Sequence, residues 1–223
     1  MKIIDEIKKS KTHYNYGRVG NGTLYEMCKK YPYHNDPSEI VGKVWLIGRS
    51  YAVSLERNKN NKNVSDDFYS EIIAPNFIGG NFDNLLLGIR KLRELSEENI
   101  PIIIKTHKKV VDFIHKRITK DNKRSFVSKY LHFHFPKLFF IYDSRAASTI
   151  NKVVNTIGVK KKQYTRYIKK IKKFDKKYAE FFIKCFYLQQ FCKKKGFLLT
   201  TRQIDSFLVE IANETIRYKK LRK

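Results

Sequence analysis

The chain has 223 residues, 47 of them Lys or Arg and 21 Asp or Glu, for a formal net charge of +26. Hydrophobic residues make up 42% and aromatic residues 14%, which is enough for a buried core and excludes a disordered chain. No run of 18 apolar residues occurs, so we expect no membrane span, and residues 1–10 lack the apolar segment of a signal peptide. Three widely spaced cysteines do not indicate a disulfide framework, and we expect a reducing, cytoplasmic and nucleoid-associated location.

Nearly all of the excess positive charge lies in the second part of the chain. Residues 1–100 hold 15 basic and 13 acidic residues, whereas residues 101–223 hold 32 and 8. The densest stretch, residues 160–177, is called the basic segment and holds ten basic residues and one acidic residue. Compositional drift toward lysine and a membrane surface are the alternatives, but this asymmetry is most typical of a nucleic-acid partner.

The first predicted region, residues 1–80, is expected to be loop-rich. Its glycines and prolines interrupt regular structure at Gly17, Gly20, Gly22, Pro32 and Pro37. Within it, residues 44–47 are either a short strand or the start of a helix, and the polar residues 58–63 predict a loop.

Residues 81–223 are predicted to be helical. Leucines and isoleucines at three- and four-residue spacing favour a helix over residues 82–99, with Pro101 just beyond it. Thr106 is a candidate N-cap for the next helix, and a polar turn at residues 119–124 leads into a second helix. These two helices form a predicted hairpin over residues 106–134.

The remaining elements follow the apolar residues 139–142. Asp143 or Ser144 can cap a helix that begins there, and residues 160–192 predict one or two helices with a basic face. Thr200 or Thr201 caps the last predicted helix. The sum is a mainly α, compact, multi-helix domain spanning residues 1–223, and we expect a monomer.

The stretch from Arg124 to Arg145 is the most informative, and it reads RSFVSKYLHFHFPKLFFIYDSR. Asp143 stands at a predicted helix N-terminus, where the helix dipole stabilises a carboxylate in a fixed position. Lys129 lies 14 residues earlier, on the preceding predicted helix.

This stretch resembles the helix-hairpin-helix DNA glycosylases, especially those with the OGG-type (8-oxoguanine glycosylase) fold. The residues FFIYDSR look like the apolar lead into the catalytic aspartate of that superfamily. The stretch looks closer still to bacterial OGG-fold proteins with a Ser-Lys-x-Leu-His-Phe…Pro…Tyr-Asp-Ser pattern. Residues 45–52 and 202–208 also look like parts of that group.

The resemblance implies base excision. A nucleotide is flipped into a pocket, and its N-glycosidic bond is cut through a transition state with oxocarbenium character. Asp143 would stabilise that cation or activate the nucleophile. In a bifunctional enzyme a lysine with a lowered pKa, Lys129 or else Lys123, forms a Schiff base and nicks the strand. A monofunctional enzyme that uses Asp143 alone is the alternative.

The resemblance also implies duplex DNA with a flipped base as the partner. The expected DNA- or base-binding residues are Trp45, Arg49, Tyr51, Arg124, Tyr142, Arg145, Lys160, Lys161 and Lys162. The hairpin departs from the family pattern, because residues 121–124 replace its Gly-x-Gly turn. Asn122 can adopt left-handed geometry there, and Lys123 and Arg124 can supply charge, so a phosphate contact at this turn is expected to be made differently. The excised base is either damaged, as in repair, or modified, as in defence against phage DNA.

No cofactor and no metal are expected. His132 and His134 point in different directions on a helix, so this His-x-His pattern favours packed residues over ligands. A metal-dependent nuclease is disfavoured because no carboxylate cluster is apparent. The alternative function is a non-catalytic, basic nucleic-acid-binding protein on the same scaffold, in which Asp143 is a plain helix cap and Lys129 one more solvated lysine.

Overall fold

The structure is a computed structural model that describes residues 18–56, 67–169 and 171–220. Within these ranges it is mainly α, as predicted, and no β-strand is formed. A π-helical turn spans Tyr69–Ile73. The helices are α1 Arg18–Lys30, α2 Pro37–Ser50, α3 Ala74–Phe77, α4 Asn81–Arg90, α5 Ile100–Arg117, α6 Arg124–His134, α7 Ser144–Thr156, α8 Lys161–Ile168, α9 Lys176–Lys194 and α10 Thr201–Lys220.

The prediction of a loop-rich N-terminal region is wrong for the described residues. Gly20 and Gly22 lie inside α1, and Pro37 begins α2. Asp36 caps α2 by accepting the backbone N–H of Glu39, and a proline in the first turn sacrifices no helical hydrogen bond. Proline therefore marks a helix start here. The predicted loop at 58–63 lies outside the described residues.

Two predicted helix boundaries are wrong for a related reason. The helix expected over residues 82–99 ends at Arg90, and Pro101 lies in the first turn of α5. Thr106, the expected N-cap, is a buried residue in the middle of α5. The hairpin therefore begins at residue 100, because the proline starts a helix.

The later boundaries are confirmed. Helix α6 ends at His134, and Asp143 is the N-cap of α7. The region 160–192 forms two helices, α8 and α9, and Asp175 caps the second. Thr200 and Gln203 each accept the other's backbone N–H, a reciprocal cap at the start of α10.

One cluster of buried apolar side chains forms the core. Helix α6 contacts α1, α2 and α5, while α7 contacts α9 and α10. The extended residues 139–143 join these two groups of helices. Among the described helices, none has the length and apolar character that crossing a membrane requires.

Candidate functional site

A polar stripe on α6 faces the extended residues 139–143. Because this segment belongs to no sheet, its backbone groups need side-chain partners. His132 Nδ1 donates to the Phe139 carbonyl at 2.8 Å, and Ser128 Oγ accepts the Tyr142 N–H at 2.9 Å. The stripe repeats at three- and four-residue spacing and consists of Ser125, Ser128, Lys129 and His132.

Lys129 belongs to this stripe, and it is only 2% exposed. Its Nζ donates to Ser125 Oγ at 2.8 Å and to the Tyr142 carbonyl at 3.0 Å, and it lies 5.5 Å from the centroid of the Tyr51 ring. Burial lowers the pKa of Lys129 to about 8, against the opposing charges of Asp205 and Asp143. About one amine in ten is then neutral at pH 7, and the neutral form is the nucleophile.

Asp143 holds a carboxylate at the start of α7. Its Oδ1 accepts the backbone N–H of Arg145 at 2.9 Å and lies 3.3 Å from Arg145 Nε. The Asp143 side chain is 26% exposed and that of Arg145 is 51% exposed. The carboxylate is therefore fixed in place and still open to a ligand from solvent.

Asp205, in the second turn of α10, is a second carboxylate whose charge acts on Lys129, and sequence reasoning did not single it out. Its Oδ2 accepts from Arg202 NH1 at 2.7 Å, while its buried Oδ1 has no hydrogen-bond partner within the described ranges. Burial raises the pKa of Asp205 to about 6. Arg202 lies 5.9 Å from the Tyr51 ring that Lys129 also faces. The set is called the Lys129 cluster and consists of Lys129, Asp143, Arg145, Arg202 and Asp205.

The sequence predicts one contact of Asp205 but not its closeness to Lys129. An Arg and an Asp three positions apart in a helix predict a local ion pair. Their closeness to Lys129 depends on how α10 packs, which local spacing does not report.

Lys123 is placed differently from Lys129. Its Nζ donates to the Ser54 carbonyl at 3.2 Å and pairs with Asp121 at 3.2 Å, which ties the hairpin turn to the chain that follows α2. The structure therefore brings Lys129 together with Asp143, and it gives Lys123 an anchoring contact. Of the two candidate lysines, Lys129 is the one whose pKa burial lowers to about 8.

The hairpin turn does not use left-handed geometry. Positive φ among the described non-glycine residues is found at Ala52 and Lys173. Asn122 instead accepts the Arg124 backbone N–H through its side chain at 3.2 Å. Asn122 does not use the left-handed geometry that asparagine permits, because a side-chain hydrogen bond closes the turn.

Arg124 and Tyr142, both expected at the DNA, contact the protein itself. Arg124 Nε donates to Asp175 Oδ2 at 2.7 Å, and its guanidinium lies 5.4 Å from the Tyr142 ring centroid. The ion pair of Arg124 with Asp175 joins the start of α6 to the start of α9. Contact of either residue with DNA stays a prediction.

The aromatic residues around α2 fall into two places. Trp45 is 44% exposed, and the Arg49 guanidinium lies 6.0 Å from its ring centroid. Tyr51 is half-buried, donates to Asn21 Oδ1 at 2.6 Å and faces Lys129. Tyr51 therefore borders the Lys129 cluster, while Trp45 and Arg49 lie on the surface.

The basic segment presents its charge to solvent. Lys160 and Lys162 are exposed, and the side chain of Lys161 is outside the part of the chain that the structure describes. Other exposed lysines of the segment are Lys169, Lys172, Lys173, Lys176 and Lys177. Such a surface is available to a polyanion.

A second buried polar network lies between α2, α4 and α6. His34 uses both ring nitrogens, one 3.0 Å from Asp83 Oδ1 and the other 2.7 Å from the Tyr130 hydroxyl. Arg90 also pairs with Asp83. Lys43 Nζ donates to two backbone carbonyls at 2.8 Å. These five residues are called the His34 cluster.

No protein-family model, no curated protein and no solved structure matches the chain. Among the described residues, no group of three or more His, Cys, Asp or Glu side chains is placed to hold a metal ion. The function is therefore argued from the Lys129 cluster and the charge around it.

Proposed function

We propose that the protein is a DNA glycosylase of the helix-hairpin-helix type that excises a damaged or modified base. The observation that carries the proposal is a buried lysine, with its pKa lowered to about 8, beside a carboxylate at the N-terminus of α7. The resemblance of residues 124–145 to OGG-type glycosylases supports the same assignment. The helical hairpin formed by α5 and α6 agrees with it.

Asp143 serves the sugar in this proposal. Cleavage of an N-glycosidic bond builds positive charge on C1′ and the ring oxygen, which a fixed carboxylate stabilises. The cap hydrogen bond from Arg145 holds Asp143 in place, and its partial exposure leaves it open to the substrate.

Lys129 serves as the nucleophile in the bifunctional form of the reaction. Its neutral amine attacks C1′, the base leaves, and the resulting Schiff base leads to strand cleavage. The lowered pKa supplies the neutral amine near pH 7. Lys123 is held by Ser54 and Asp121, which leaves it less suited to this step.

The phosphates of the DNA are held by exposed positive charge. Lysines of the basic segment and Arg145 offer contacts that position the duplex without sequence information. Trp45 offers an exposed ring on which a base can stack.

The proposal is tested by base release from a panel of duplexes. The panel carries oxidised, deaminated and alkylated bases as well as hypermodified phage-type bases, and EDTA is present throughout. We expect wild-type protein to leave alkali-sensitive abasic sites in at least one duplex. Asp143→Asn keeps the helix cap but removes the charge, so we expect base release to fall by about 10³-fold.

Asp36→Asn is the matched control for this variant. Asp36 caps α2 in the same way, and it lies outside the Lys129 cluster. We expect it to retain wild-type base release. Equal activity in Asp143→Asn and wild type would contradict the catalytic role of Asp143.

A non-catalytic nucleic-acid-binding protein is the second candidate function. It is favoured by one observation: Lys129 donates to a backbone carbonyl and Asp143 caps a helix, and both are ordinary structural roles. Salt-sensitive DNA binding without base release from any duplex of the panel would establish this alternative.

A further inference from the structure

We propose that Asp205 accepts the proton that Lys129 loses and passes it to the departing base. The two residues then form an acid–base couple inside the site. This inference rests on the proposed glycosylase function and adds a residue to it.

Asp205 lies within electrostatic reach of Lys129, and one of its oxygens is free of hydrogen bonds within the described residues. Arg202 holds Oδ2 at 2.7 Å, and Arg202 and Lys129 both lie over the ring of Tyr51, at 5.9 and 5.5 Å from its centroid. The Asp205 side chain is 8% exposed, and its Oδ1 has no hydrogen-bond partner among the residues described. A buried carboxylate oxygen without a donor is costly, so its retention calls for a use.

Lys129 can leave its resting position at little cost. The Tyr142 carbonyl that it contacts also accepts the Ser125 hydroxyl at 3.0 Å. When the lysine amine withdraws, that carbonyl keeps a donor. Because the lysine side chain is long and flexible, the amine can swing from Tyr142 toward the free oxygen of Asp205.

Asp143 is less suited to accept this proton. Its Oδ1 already accepts from the Arg145 backbone and lies beside the Arg145 guanidinium. A carboxylate held in that position is suited to the positive charge that develops on the sugar. The two carboxylates of the cluster are therefore suited to different tasks.

The charged and titratable groups around Asp205 come from five other parts of the chain as well as from α10. They are Arg202 of its own helix, Lys129 of α6, Asp143 and Arg145 at α7, Tyr25 of α1, Tyr51 after α2 and Cys185 of α9. Burial outweighs the positive neighbours and raises the pKa of Asp205 to about 6, while burial lowers that of Lys129 to about 8. A difference of about two units means that the transfer is unfavourable by only about a hundred-fold.

The proposed step balances in protons and electrons. The ammonium of Lys129 gives one proton to the carboxylate of Asp205, leaving a neutral amine and a carboxylic acid. The amine lone pair forms the N–C1′ bond, while the electron pair of the glycosidic bond leaves with the base. Asp205 then gives its proton to the base nitrogen and returns to carboxylate, and the positive charge stays on the lysine nitrogen.

The test is the pH profile of single-turnover base release and borohydride trapping in Asp205→Asn. For wild type we expect an acidic limb with a midpoint near the Asp205 pKa of about 6, because the carboxylate must be ionised to accept the proton. In Asp205→Asn the amine must lose its proton to solvent, so we expect the midpoint of the acidic limb to move from about 6 toward the Lys129 pKa of about 8, and the rate at pH 7 to fall by about 10²-fold. Asp205→Glu keeps a carboxylate, so we expect it to retain an acidic limb.

Asp175→Asn is the matched control. Asp175 is also a buried aspartate in an ion pair with an arginine, Arg124, but it lies outside the Lys129 cluster. We expect its pH profile to keep the wild-type acidic midpoint.

The outcomes separate this inference from the proposed function. An Asp205→Asn variant that releases base within threefold of wild type, with the acidic midpoint unchanged, overturns the role of Asp205 and leaves the glycosylase standing. Wild-type protein that releases no base overturns both. Thermal melting by circular dichroism confirms that each variant is folded.

Discussion

The His34 cluster and the Lys129 cluster each combine a buried lysine with aspartate and arginine, but they differ in how they meet the surface. In the His34 cluster, His34 and Lys43 are both 0% exposed, and each uses its nitrogens on internal partners. In the Lys129 cluster, exposure rises from the buried amine of Lys129 to the half-exposed side chain of Arg145. The cluster also contains the buried oxygen of Asp205 that has no hydrogen-bond partner among the described residues.

The comparison shows that burial of a lysine does not by itself indicate function. Burial lowers the pKa of both Lys43 and Lys129, and both amines donate to backbone carbonyls. What separates them is the route to solvent, because Arg145 and Asp143 beside Lys129 are 51% and 26% exposed, whereas Arg90 and Asp83 in the cluster of Lys43 are 17% and 14% exposed. A site for chemistry needs polar groups that a substrate can reach.

The largest effects are expected when Lys129 or Lys43 is replaced singly with methionine. Lys129→Met should abolish borohydride trapping, by at least about 10³-fold, with little loss of stability because Ser125 still donates to the Tyr142 carbonyl. Lys43→Met should remove the lysine donor from the Tyr31 and Tyr33 carbonyls and lower the free energy of unfolding by about 2–4 kcal/mol.

The yield of borohydride trapping measures the effect of Lys129→Met, and urea unfolding measures the effect of Lys43→Met. The variant Lys123→Met is the control, and we expect it to retain trapping. A trapped complex that survives in Lys129→Met and disappears in Lys123→Met would assign the nucleophile to the hairpin turn.

Replacing Asp83 and replacing Asp205 with asparagine are expected to change stability in opposite directions. Hydrogen bonds from His34 and Arg90 overcome burial and hold the pKa of Asp83 far below its usual value, so Asp83→Asn should destabilise the fold by about 3 kcal/mol. Burial raises the pKa of Asp205 from 3.8 to about 6, so the ionised form is disfavoured in the fold. Asp205→Asn should therefore stabilise the protein at pH 7 by on the order of 3 kcal/mol.

The pH dependence gives the sign of the Asp205 effect. A group whose pKa is raised on folding contributes its full stability below its unfolded pKa of 3.8 and loses it as the pH rises through about 6. The advantage of Asp205→Asn over wild type should thus be absent near pH 4 and complete above pH 6. An advantage that does not change between pH 4 and pH 7 in urea unfolding would contradict the raised pKa.

The smallest expected effect is a change in the salt dependence of DNA binding, compared between lysine variants in the basic segment and in residues 1–100. Replacing exposed lysines of the basic segment with glutamine, in the triple variant Lys172, Lys173 and Lys176, should lower the salt dependence of DNA binding. Each lost phosphate contact reduces the slope of log K against log salt by about 0.9. The matched triple variant replaces exposed lysines of the first part, Lys29, Lys30 and Lys91. Equal slopes for the two triple variants in fluorescence anisotropy would contradict a binding role for the basic segment.

Some elements were predictable because their signals are local. The cap at Asp143, the end of α6 before Pro136 and the start of α10 at Thr200 each depend on a few neighbouring residues. The N-terminal helices were missed because proline and glycine have two opposite meanings. Pro37 and Pro101 start helices here, and only the residues that pack around them distinguish a start from a break.

The sequence by itself determined the helical class, the concentration of charge after residue 100 and the candidate pair Lys129 and Asp143. Composition and helical spacing record burial and caps, and these need no knowledge of distant contacts. Only the tertiary structure decided that Lys129, and not Lys123, lies with Asp143, and that Asp205 joins them. The physical reason is that burial and charge set the pKa of a group through space, so a residue of α10 acts on Lys129 from 76 positions away in the chain (205 − 129).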